Sequence, residues 1–501
     1  MSVPFQSLSE FQVTPRTPYR LLPFRFGRIP GIHEKVLLTS ESGEFLFVGK
    51  QEFQDFVEHR IPADSDVYRD LRARHFLLES HETVGLEALA AKYRTRKSFL
   101  RGGPSLHLFV VTLRCDHACV YCQVSRQGLE KTCYDMRAED ARHAVDRLFE
   151  SPSPNLTVEF QGGEPLLVFD TIRSIVDLIE ERNIKEQRDI QFTAVSTLHF
   201  LTDQALEYFR DHRFTLSTSL DGPEWLHNAN RPNRDHQSFR RTIEGITRAR
   251  HALGEERVAA LTTLTRVSLA HPEAIVDTYL EHGFRSIFLR PLSPYGFARR
   301  TEQTIGYTEE EYLRFYERAL TYLIALNRAG HTIDEAYTTI LLSHMLTPFP
   351  TGYVDLRSPT GAALGVLVYN YDGMVYASDE ARMLAEMGDT SLCLGHVSES
   401  YRDLMRSDAT QLILASGVAE GLPGCSDCVF LPYCGADPVY ALARQRDPIG
   451  HRPTSGFCHR QTGMFRILFS LLHDRNPDVL RVFLAWMSRR RPEAVAHPAF
   501  V

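Results

Sequence analysis

The stretch LRCDHACVYCQ, residues 113–123, places three cysteines within eleven residues, at positions 115, 119 and 122. A structural zinc ion takes four ligands in a closed tetrahedron, and this loop offers only three thiols. Thiolates also hold iron–sulfur clusters, and a cubane with three protein ligands leaves one iron open to an outside molecule. The loop therefore predicts an iron–sulfur cluster with an open iron, and a zinc or redox-inert thiol cluster is the alternative.

A buried strand leads into this loop. LHLFVVTL, residues 106–113, is an apolar run of strand length. Five further strand-like runs follow, at 156–163, 190–197, 213–220, 258–268 and 285–292. Segments with helical spacing separate them, at 138–150, 168–183, 203–211, 237–253 and 272–282. Six strands that alternate with helices predict parallel βα units, in which function gathers in the loops after the strands.

The composition is that of an ordinary globular chain. Of the 501 residues, 43% are apolar and 24% are charged, which allows a large core and roughly three domains at ~150 residues each. The net charge of −7 gives no general attraction to nucleic acid. The first residues, MSVPFQSLSEFQ, lack a signal pattern and no apolar run approaches ~18 residues, so we expect a cytoplasmic protein without a membrane segment. Nine cysteines, most of them clustered, then favour metal sites over disulfides.

The spacing C-x3-C-x-Tyr-C, with Tyr121 before the last cysteine, resembles the signature of radical S-adenosylmethionine (SAM) enzymes. The resemblance implies an α/β fold, a partial (β/α)6 barrel, over residues 101–305. It also implies that Cys115, Cys119 and Cys122 hold a [4Fe-4S] cluster whose open iron binds SAM. An electron from a flavodoxin- or ferredoxin-type donor then cleaves SAM to methionine and a 5′-deoxyadenosyl radical, which abstracts a substrate hydrogen.

Two further segments resemble motifs of this family. FQGGEPLL, residues 160–167, looks like its GGEP motif, and TSLDGPEWLHNANR, residues 218–231, looks like its S-x-D-G segment. The resemblance implies SAM contacts at Tyr121, Gly162, Gly163, Glu164, Pro165, Ser219, Arg231 and Leu292. For each single residue, ordinary barrel packing or turn formation is the alternative interpretation.

A second group of cysteines lies near the C-terminus. GCSDCVFLPYCG, residues 424–435, contributes Cys425, Cys428 and Cys434, and Cys458 follows. By spacing alone, zinc and a fully ligated iron–sulfur cluster fit equally well. The segment resembles the SPASM extension of radical SAM peptide maturases, which implies an auxiliary [4Fe-4S] cluster.

The SPASM resemblance is incomplete in an informative way. The ligand positions of a second auxiliary cluster are occupied by other residues, within 358–365 and at Ser378 and Pro438. Because these ligands are missing together, we expect one auxiliary cluster. The remaining two cysteines, Cys133 and Cys393, are predicted to be buried structural thiols.

Asp379, in VYASDEAR (375–382), occupies the position at which sulfatase-maturing relatives carry a catalytic base. A carboxylate near the substrate could take a proton as a new bond forms. A surface aspartate in a salt bridge is the alternative interpretation.

The N-terminal region, residues 1–100, is expected to be a separate module. KVLLTSESGEFLFVG (35–49) predicts a hairpin and residues 50–60 predict a helix. A winged-helix DNA-binding module is one interpretation, but residues 31–62 carry six acidic and three basic side chains, the wrong sign for phosphate contact. We therefore expect a winged-helix-like, peptide-docking module whose strand edge accepts another strand.

The remaining boundaries place a helical connection at 306–350 and the SPASM-like domain at 351–501. Within that domain, 366–378 predicts a hairpin that turns at Asp372 and Gly373, and 460–487 predicts an amphipathic helix.

Sequence segments across nearly the whole chain, including RPLSPYGFA (290–298), most resemble those of the His-Xaa-Ser system radical SAM maturases. The resemblance implies oxidative modification of a ribosomally made precursor peptide with His-Xaa-Ser repeats, with a second radical SAM maturase as a candidate partner. The alternatives are a sulfatase-maturing, formylglycine-type enzyme and a non-catalytic, zinc-stabilised peptide-binding scaffold. No nucleic-acid or membrane partner is expected.

Overall fold

The computed structural model describes residues 19–79 and 82–489. The prediction that the first twelve residues carry no signal sequence lies outside this range. None of the described helices is long and apolar enough to cross a membrane.

The N-terminal region forms two small sheets with three helices. Its strands are β1 (Tyr19–Leu21), β2 (Phe24–Gly27), β3 (Lys35–Ser40), β4 (Phe45–Gly49) and β5 (Leu77–Glu79), and its helices are α1 (Lys50–Val57), α2 (Asp66–Ala73) and α3 (Val84–Arg96). β2, β3 and β4 form an antiparallel sheet in that order, and β1 pairs with β5. Tyr19, Phe56 and Phe76 are fully buried in a core of this region's own. The hairpin predicted at 35–49 is present.

Parallel strands and helices then alternate. The strands are β6 (Leu106–Thr112), β7 (Asn155–Gly162), β8 (Asp189–Val195), β9 (Thr215–Ser219), β10 (Val258–Thr263), β11 (Ser286–Ile287) and β12 (Leu289–Arg290), and the helices are α4 (Ala138–Glu150), α5 (Phe169–Glu186), α6 (Asp203–Asp211), α7 (Glu224–Asn230), α8 (Ser238–Leu253), α9 (Pro272–Glu281) and α10 (Gly296–Ile305). The sheet runs in the order β12–β10–β9–β8–β7–β6, and each neighbouring pair is parallel. The predicted α/β fold with a central parallel sheet is confirmed.

The alternation of side chains in β7 explains how this sheet is packed. Leu156, Val158 and Phe160 are buried, while Glu159 and Gln161, between and after them, are only partly buried. Successive side chains of a strand point to opposite faces, so the apolar set covers one face and the polar set occupies the other. The polar face is the one that can carry chemistry.

The C-terminal region joins the same sheet. Its elements are α11 (Glu309–Arg328), β13 (Asp334–Glu335), α12 (Ala336–Leu346), β14 (Val366–Tyr369), β15 (Met374–Tyr376), α13 (Asp379–Ala385), β16 (Cys393–His396), α14 (Tyr401–Leu404), α15 (Asp408–Ser416), α16 (Pro438–Gln445), α17 (Gly456–His473) and α18 (Pro477–Ser488). β14 pairs in parallel with β6, and β15 and β16 extend the sheet to nine strands. The predicted hairpin of 366–378 is therefore continuous with the central sheet.

Two element predictions were wrong. The strand expected at 285–292 is divided: β11 pairs with β13, and β12 alone pairs with β10 and stops before Pro291, which has no N–H for a ladder hydrogen bond. The helix expected over 460–487 is two helices. Asn476 caps the second one by accepting from the amides of Asp478 and Val479 at 3.0 and 3.4 Å, and Pro477 starts it.

The N-terminal sheet packs on the second cysteine segment. The Thr39 hydroxyl donates to the Val429 carbonyl at 2.8 Å, and the Tyr433 hydroxyl donates to the Gly43 carbonyl at 3.1 Å. The Phe45 ring meets Phe469 of α17 edge-on at 5.1 Å between centroids. The first and last parts of the chain are therefore in direct contact.

Candidate functional site

The first cysteine loop begins where β6 ends, at the carboxyl edge of the parallel sheet. The Arg114 guanidinium donates to the Asp135 carboxylate at 2.8 and 2.6 Å. This ion pair joins the start of the loop to the segment that precedes α4. Cys115 is buried, and Cys119 and Cys122 are half-buried. The three predicted cluster ligands thus lie on one internally bonded loop.

A cavity of about 160 Å³ adjoins this loop, and we name it the cysteine cavity. It collects residues from the carboxyl ends of several strands and from the start of α13. The predicted site residues in its lining are Cys115, Cys119, Cys122, Tyr121, Gly162, Gly163, Ser219, Arg231 and Asp379. The structure therefore brings together most of the residues that the sequence singles out. Glu164, Pro165 and Leu292 lie elsewhere.

The GGEP stretch contacts the cysteine loop through its backbone. The Gly163 amide donates to the Thr112 carbonyl at 2.8 Å, and the Glu164 amide donates to the Arg114 carbonyl at 2.7 Å. A Cβ at Gly162 would lie 1.9 Å from the Thr112 carbonyl oxygen, and one at Gly163 would lie 2.3 Å from that of Arg114. Glycine is required at both positions because two backbone segments touch there.

The side chain of Glu164 is fully buried behind the cavity. Its carboxylate accepts hydrogen bonds from the Ser196 hydroxyl at 2.8 Å, the Thr197 amide at 2.7 Å and the Leu166 amide at 2.9 Å. Burial raises the pKa of Glu164, and these hydrogen bonds oppose the rise. Glu164 thus joins the end of β7 to the end of β8. Its SAM contact and that of Pro165, which is also buried, stay predictions.

Tyr121, Asp221 and Arg231 form a buried hydrogen-bonded set. The Tyr121 hydroxyl donates to the Asp221 carboxylate at 2.8 Å and accepts from the Arg231 guanidinium at 2.9 Å. Burial raises the pKa of Asp221 to about 6, and Arg231 opposes that rise. Leu292 packs on the apolar cluster that contains Tyr121. The sequence reasoning missed Asp221, although it is the aspartate of the S-x-D-G segment.

Asp116 organises the other side of the loop. Its carboxylate is hydrogen-bonded to Nδ1 of His117 at 2.9 Å and to Nδ1 of His199 at 3.0 Å, and Nε2 of His117 is bonded to the Ser238 hydroxyl at 2.8 Å. Both ring nitrogens of His117 are therefore occupied, so the ring is not free as a fourth cluster ligand. The sequence reasoning missed His199 and Ser238, because no local pattern relates them to the cysteines.

The lining of the cysteine cavity fits a three-thiol cluster with SAM. Within the described part of the chain, the buried Nε of Arg126, Nε2 of Gln161 and Nε of Arg231 have no hydrogen-bond partner, and all three residues line this cavity. Buried donors are rarely left unpaired, and these suit oxygen atoms of a bound molecule. Three thiols supply three of the four ligands of a cubane, which leaves one iron for that molecule.

Two carboxyl groups lie close together beside this cavity. Asp379, the first residue of α13, lines the cavity and accepts a hydrogen bond from Nε of the fully buried Arg382 at 3.0 Å. Glu159 is on the polar face of β7. Burial, and then the charge of Asp379, raise the pKa of Glu159 to about 7, while Arg290 opposes the rise. The sequence reasoning missed Glu159, although it is the one charged residue of β7.

A second cavity of about 290 Å³ adjoins the first, and we name it the acidic cavity. Leu261 and Arg290 line both cavities. The carboxyl groups of Asp355, Glu380 and Asp437 also line the acidic cavity. The sequence reasoning missed these three residues, which come from separate segments. Glu380 directly follows Asp379, so consecutive residues of α13 face the two cavities.

The four C-terminal cysteines converge at the start of α17. Burial, and then the neighbouring thiols of Cys428, Cys458 and Cys425, raise the pKa of Cys434. Among the residues that the structure describes, the one set of three metal-donor side chains with donor atoms within 4.8 Å of one another is Cys115, Asp116 and His117. Any three of the four C-terminal sulfurs are therefore more widely spaced than that.

The positions at which ligands of a second auxiliary cluster are missing have structural roles. The Ser378 hydroxyl caps α13 by accepting from the Ala381 amide at 3.2 Å, and Pro438 is the first residue of α16. The Ser358 hydroxyl accepts from the Ala419 amide at 2.9 Å. Of the two separate cysteines, Cys393 is half-buried, but Cys133 is exposed. The prediction that Cys133 is a buried thiol was wrong, because it lies in a short turn at the surface.

Known proteins resemble the chain in sequence. Residues 109–279 match the family model of the radical SAM superfamily. An uncharacterised protein of Methanothermobacter thermautotrophicus is 31% identical over 195 residues, 38% of this chain and 69% of the relative. A cysteine-type anaerobic sulfatase-maturating enzyme of Clostridium novyi is 23% identical over 329 residues, 64% of this chain and 83% of that enzyme.

Solved structures resemble the chain in fold. Native anSMEcpe with bound AdoMet has a TM-score of 0.61 at 17% identity, and the match covers 74% of this chain and 98% of that one. Streptococcus suis SuiB bound to precursor peptide SuiA has a TM-score of 0.51 at 13% identity, over 86% and 98% of the two chains. The chain therefore contains a radical SAM domain, which implies a [4Fe-4S] cluster and SAM, and it belongs to the radical SAM superfamily.

Proposed function

We propose that this chain is a radical SAM maturase that oxidatively modifies a ribosomally made peptide. The observation that carries the proposal is the junction of two cavities: one is lined by the three cysteines of the radical SAM domain, and the adjoining one has room for a substrate side chain. A relative by fold, SuiB, was solved with a precursor peptide. The candidate substrate is a peptide with His-Xaa-Ser repeats.

Residues of the cysteine loop and of the cysteine cavity would bind the cluster and SAM. Cys115, Cys119 and Cys122 would hold the cluster, and the cavity residues Gly162, Gly163, Ser219 and Arg231 would surround SAM. Tyr121 and Leu292 would pack beside its adenosyl part. The hydrogen bonds from the Gly163 and Glu164 amides to the Thr112 and Arg114 carbonyls hold the cysteine loop against the end of β7, so they would fix the position of the cluster.

Asp379 would receive the proton that the substrate loses. Its hydrogen bond from Arg382 orients the carboxylate, and its place in the cavity lining puts it beside the reacting part of the substrate. When bound, the first cluster with SAM supplies chemistry that removes a hydrogen atom from the substrate, and an auxiliary cluster supplies a relay for one further electron. Loss of a hydrogen atom, a proton and an electron is a two-electron oxidation.

Cys425, Cys428, Cys434 and Cys458 would hold the auxiliary cluster. Thiolates on a single zinc, at about 2.3 Å from the metal, stand within about 4 Å of one another. In every set of three of these sulfurs, at least one pair stands more than 4.8 Å apart, which supports a larger cluster over a single zinc ion, the scaffold alternative. Ser378 caps α13 and Pro438 is the first residue of α16, and these structural roles support one auxiliary cluster in place of two.

The N-terminal sheet would dock the precursor peptide. In the described part of the chain, β2 and β4 each pair on one side only, with β3, so each has an edge that could accept a strand. A flavodoxin- or ferredoxin-type protein would be the electron donor, and a second radical SAM maturase stays a candidate partner.

A sulfatase-maturing activity is the second candidate function. The relative from Clostridium novyi, of which 83% is covered, is a cysteine-type sulfatase-maturating enzyme. Both candidates use the same cavities, so the substrate distinguishes them. A formylglycine product from a cysteine-containing sulfatase peptide would favour the second candidate, and a modified His-Xaa-Ser peptide would favour the first.

Iron and acid-labile sulfide on the anaerobically purified chain test the cofactor assignment. Two cubanes predict about eight iron per chain. A Cys115/Cys119/Cys122→Ala variant should retain about four, and a Cys425/Cys428/Cys434→Ala variant should also retain about four. Zinc in place of iron at the C-terminal site would remove the electron relay. No cleavage of SAM by the fully loaded chain under reducing conditions would contradict the enzyme assignment.

A further inference from the structure

The acidic cavity has more negative than positive side chains in its lining. Its charged residues are Asp355, Glu380, Asp437, Arg290 and Arg460. Arg460 is already paired with Glu309 at 3.2 Å. By contrast, no described lysine, arginine or histidine forms an ion pair with any of the three carboxyl groups. Two arginines, one of them already paired, therefore face three carboxyl groups.

These carboxyl groups repel one another. Burial is the largest cause that raises the pKa of Asp355, and the negative charge of Asp437 is the second. Burial is likewise the largest cause that raises the pKa of Glu380, and the negative charge of Asp355 is the second. Carboxyl groups placed together without a cation are costly, and a positive charge among them lowers that cost. Carboxyl groups with raised pKa values cluster at functional sites, and these three form no ion pair with a described residue.

Two buried polar groups at the same cavity are also unsatisfied. The Tyr295 side chain is 1% exposed and the Gln461 side chain is 4% exposed. Among the described residues, neither the Tyr295 hydroxyl nor Oε1 of Gln461 has a hydrogen-bond partner, and both residues line the cavity. Tyr295 lines the same cavity as the three carboxyl groups, and burial, followed by the charges of Asp437, Glu380 and Asp355, raises its pKa.

The lining defines the chemistry of a bound partner. Asp437 caps α16 by accepting from the Tyr440 amide at 2.8 Å, whereas Oε1 of Gln461 accepts from no described residue. Carboxyl groups and an amide oxygen are hydrogen-bond acceptors, so the cavity suits a partner that donates hydrogen bonds. Aromatic rings form much of the wall, at Phe288, Tyr337, Tyr353, Tyr440 and Phe457. Aromatic faces attract cations, and a cation with N–H donors satisfies the carboxyl groups as well.

We propose that the acidic cavity binds a basic side chain of the peptide substrate, one that carries a protonated nitrogen, beside the residue that is modified. The proposal rests on the proposed function, because the cavity adjoins the cysteine cavity through Leu261 and Arg290. Lysine, arginine and histidine share the required chemistry. The cavity would select the substrate by charge and would set which residue reaches the cysteine cavity.

Peptide binding to the anaerobic, cluster-loaded chain tests the cavity. The probes are a His-Xaa-Ser repeat peptide and two versions in which every histidine is replaced by lysine or by glutamine. At pH 6 we expect the histidine and lysine peptides to bind at least 10-fold more tightly than the glutamine peptide. Glu380→Gln with Asp355→Asn should remove most of that preference, and Tyr295→Phe should reduce it several-fold, because charged hydrogen bonds are lost.

Glu310→Gln is the matched control, because Glu310 is exposed and does not line the cavity. Variants are compared only when their iron content and circular dichroism match those of the parent. Equal binding of all three peptides by the parent, or an equal loss for all three in the variants, would overturn the proposal. Cleavage of SAM by the unaltered chain is measured separately, so failure of the proposed function is distinguishable from failure of the cavity assignment. A preference for histidine over lysine, or the reverse, identifies the source of the cation.

Discussion

At the scale of single residues, the two cavities hold buried carboxyl groups whose charge costs stability. Glu380 is the clearest case. Burial, and then the charges of Asp355 and Asp379, raise its pKa from 4.5 to about 7, and Arg290 opposes the rise. The folded chain therefore binds a proton that the unfolded chain releases at lower pH. The stability that this group contributes is present below pH 4.5 and is lost as the pH rises through about 7.

We predict that Glu380→Gln stabilises the chain at pH 8 by on the order of 1 kcal/mol, because a neutral amide has no charge to bury. The gain should shrink toward pH 5, where Glu380 of the parent is protonated. Thermal unfolding midpoints at pH 5, 6 and 8 measure this, with Glu310→Gln as the exposed control. A variant that is less stable than the parent at pH 8 would contradict the prediction. If Glu380→Gln also weakens peptide binding, the carboxyl group lowers stability in the parent while it contributes to function, which is a common trade-off at functional sites.

At the scale of elements, the first cluster site depends on contact between the end of β7 and the loop after β6. Gly162 and Gly163 let the two backbones touch, and the buried Glu164 then ties β7 to the end of β8. The contact is between main-chain atoms, which cannot move aside to accommodate a new atom as a flexible side chain can. The position of the cysteines is therefore set by neighbouring strands as well as by their own loop.

Gly163→Ala should displace the cysteine loop, because the new Cβ would lie 2.3 Å from the Arg114 carbonyl oxygen and 2.5 Å from that of Leu113. Overpacking of this kind costs about 1–3 kcal/mol. We expect a lower thermal midpoint and loss of about four iron per chain, while the C-terminal site keeps its iron. Gly421→Ala is the control, because a Cβ there meets nothing within 4 Å. Full iron content in Gly163→Ala would show that the contact does not position the cluster ligands.

At the scale of the whole molecule, the N-terminal sheet and the C-terminal cysteine segment are packed together. Phe469 of α17 is fully buried between them, with centroid distances of 5.1 Å to Phe45, 5.9 Å to Phe430 and 5.7 Å to Tyr433. The proposed peptide-docking sheet thus rests on the segment that carries the proposed auxiliary cluster. A peptide bound at that sheet would therefore lie close to the proposed auxiliary-cluster segment.

Phe469→Ala should destabilise the chain by about 3–5 kcal/mol, because it leaves a cavity among aromatic rings. We expect faster limited proteolysis of the N-terminal region and a lower thermal midpoint. Phe349→Ala is the control, because the Phe349 side chain is 64% exposed. If the two variants unfold at the same temperature, the contact between the two regions contributes little to stability.

Features that depend on local spacing could be predicted from the sequence alone. The three cysteines with Tyr121, the GGEP stretch and the first five core strands follow from periodicity and from residues adjacent in the chain. A strand alternates every two residues and a helix every 3.6, so these elements are visible within about ten residues. The resemblance to radical SAM enzymes rested on the same short segments.

Contacts between distant segments could not be predicted in this way and are visible only in the folded chain. β14 joins β6 across more than 250 residues, and Asp355, Glu380 and Asp437 converge on one cavity from three separate segments. None of these three carboxyl residues belongs to a recognisable local pattern. Asp221 belongs to the S-x-D-G segment, but its hydrogen bond with Tyr121 is visible only in the folded chain. Their proximity depends on how buried surfaces pack across the whole chain, and local spacing carries no information about that packing.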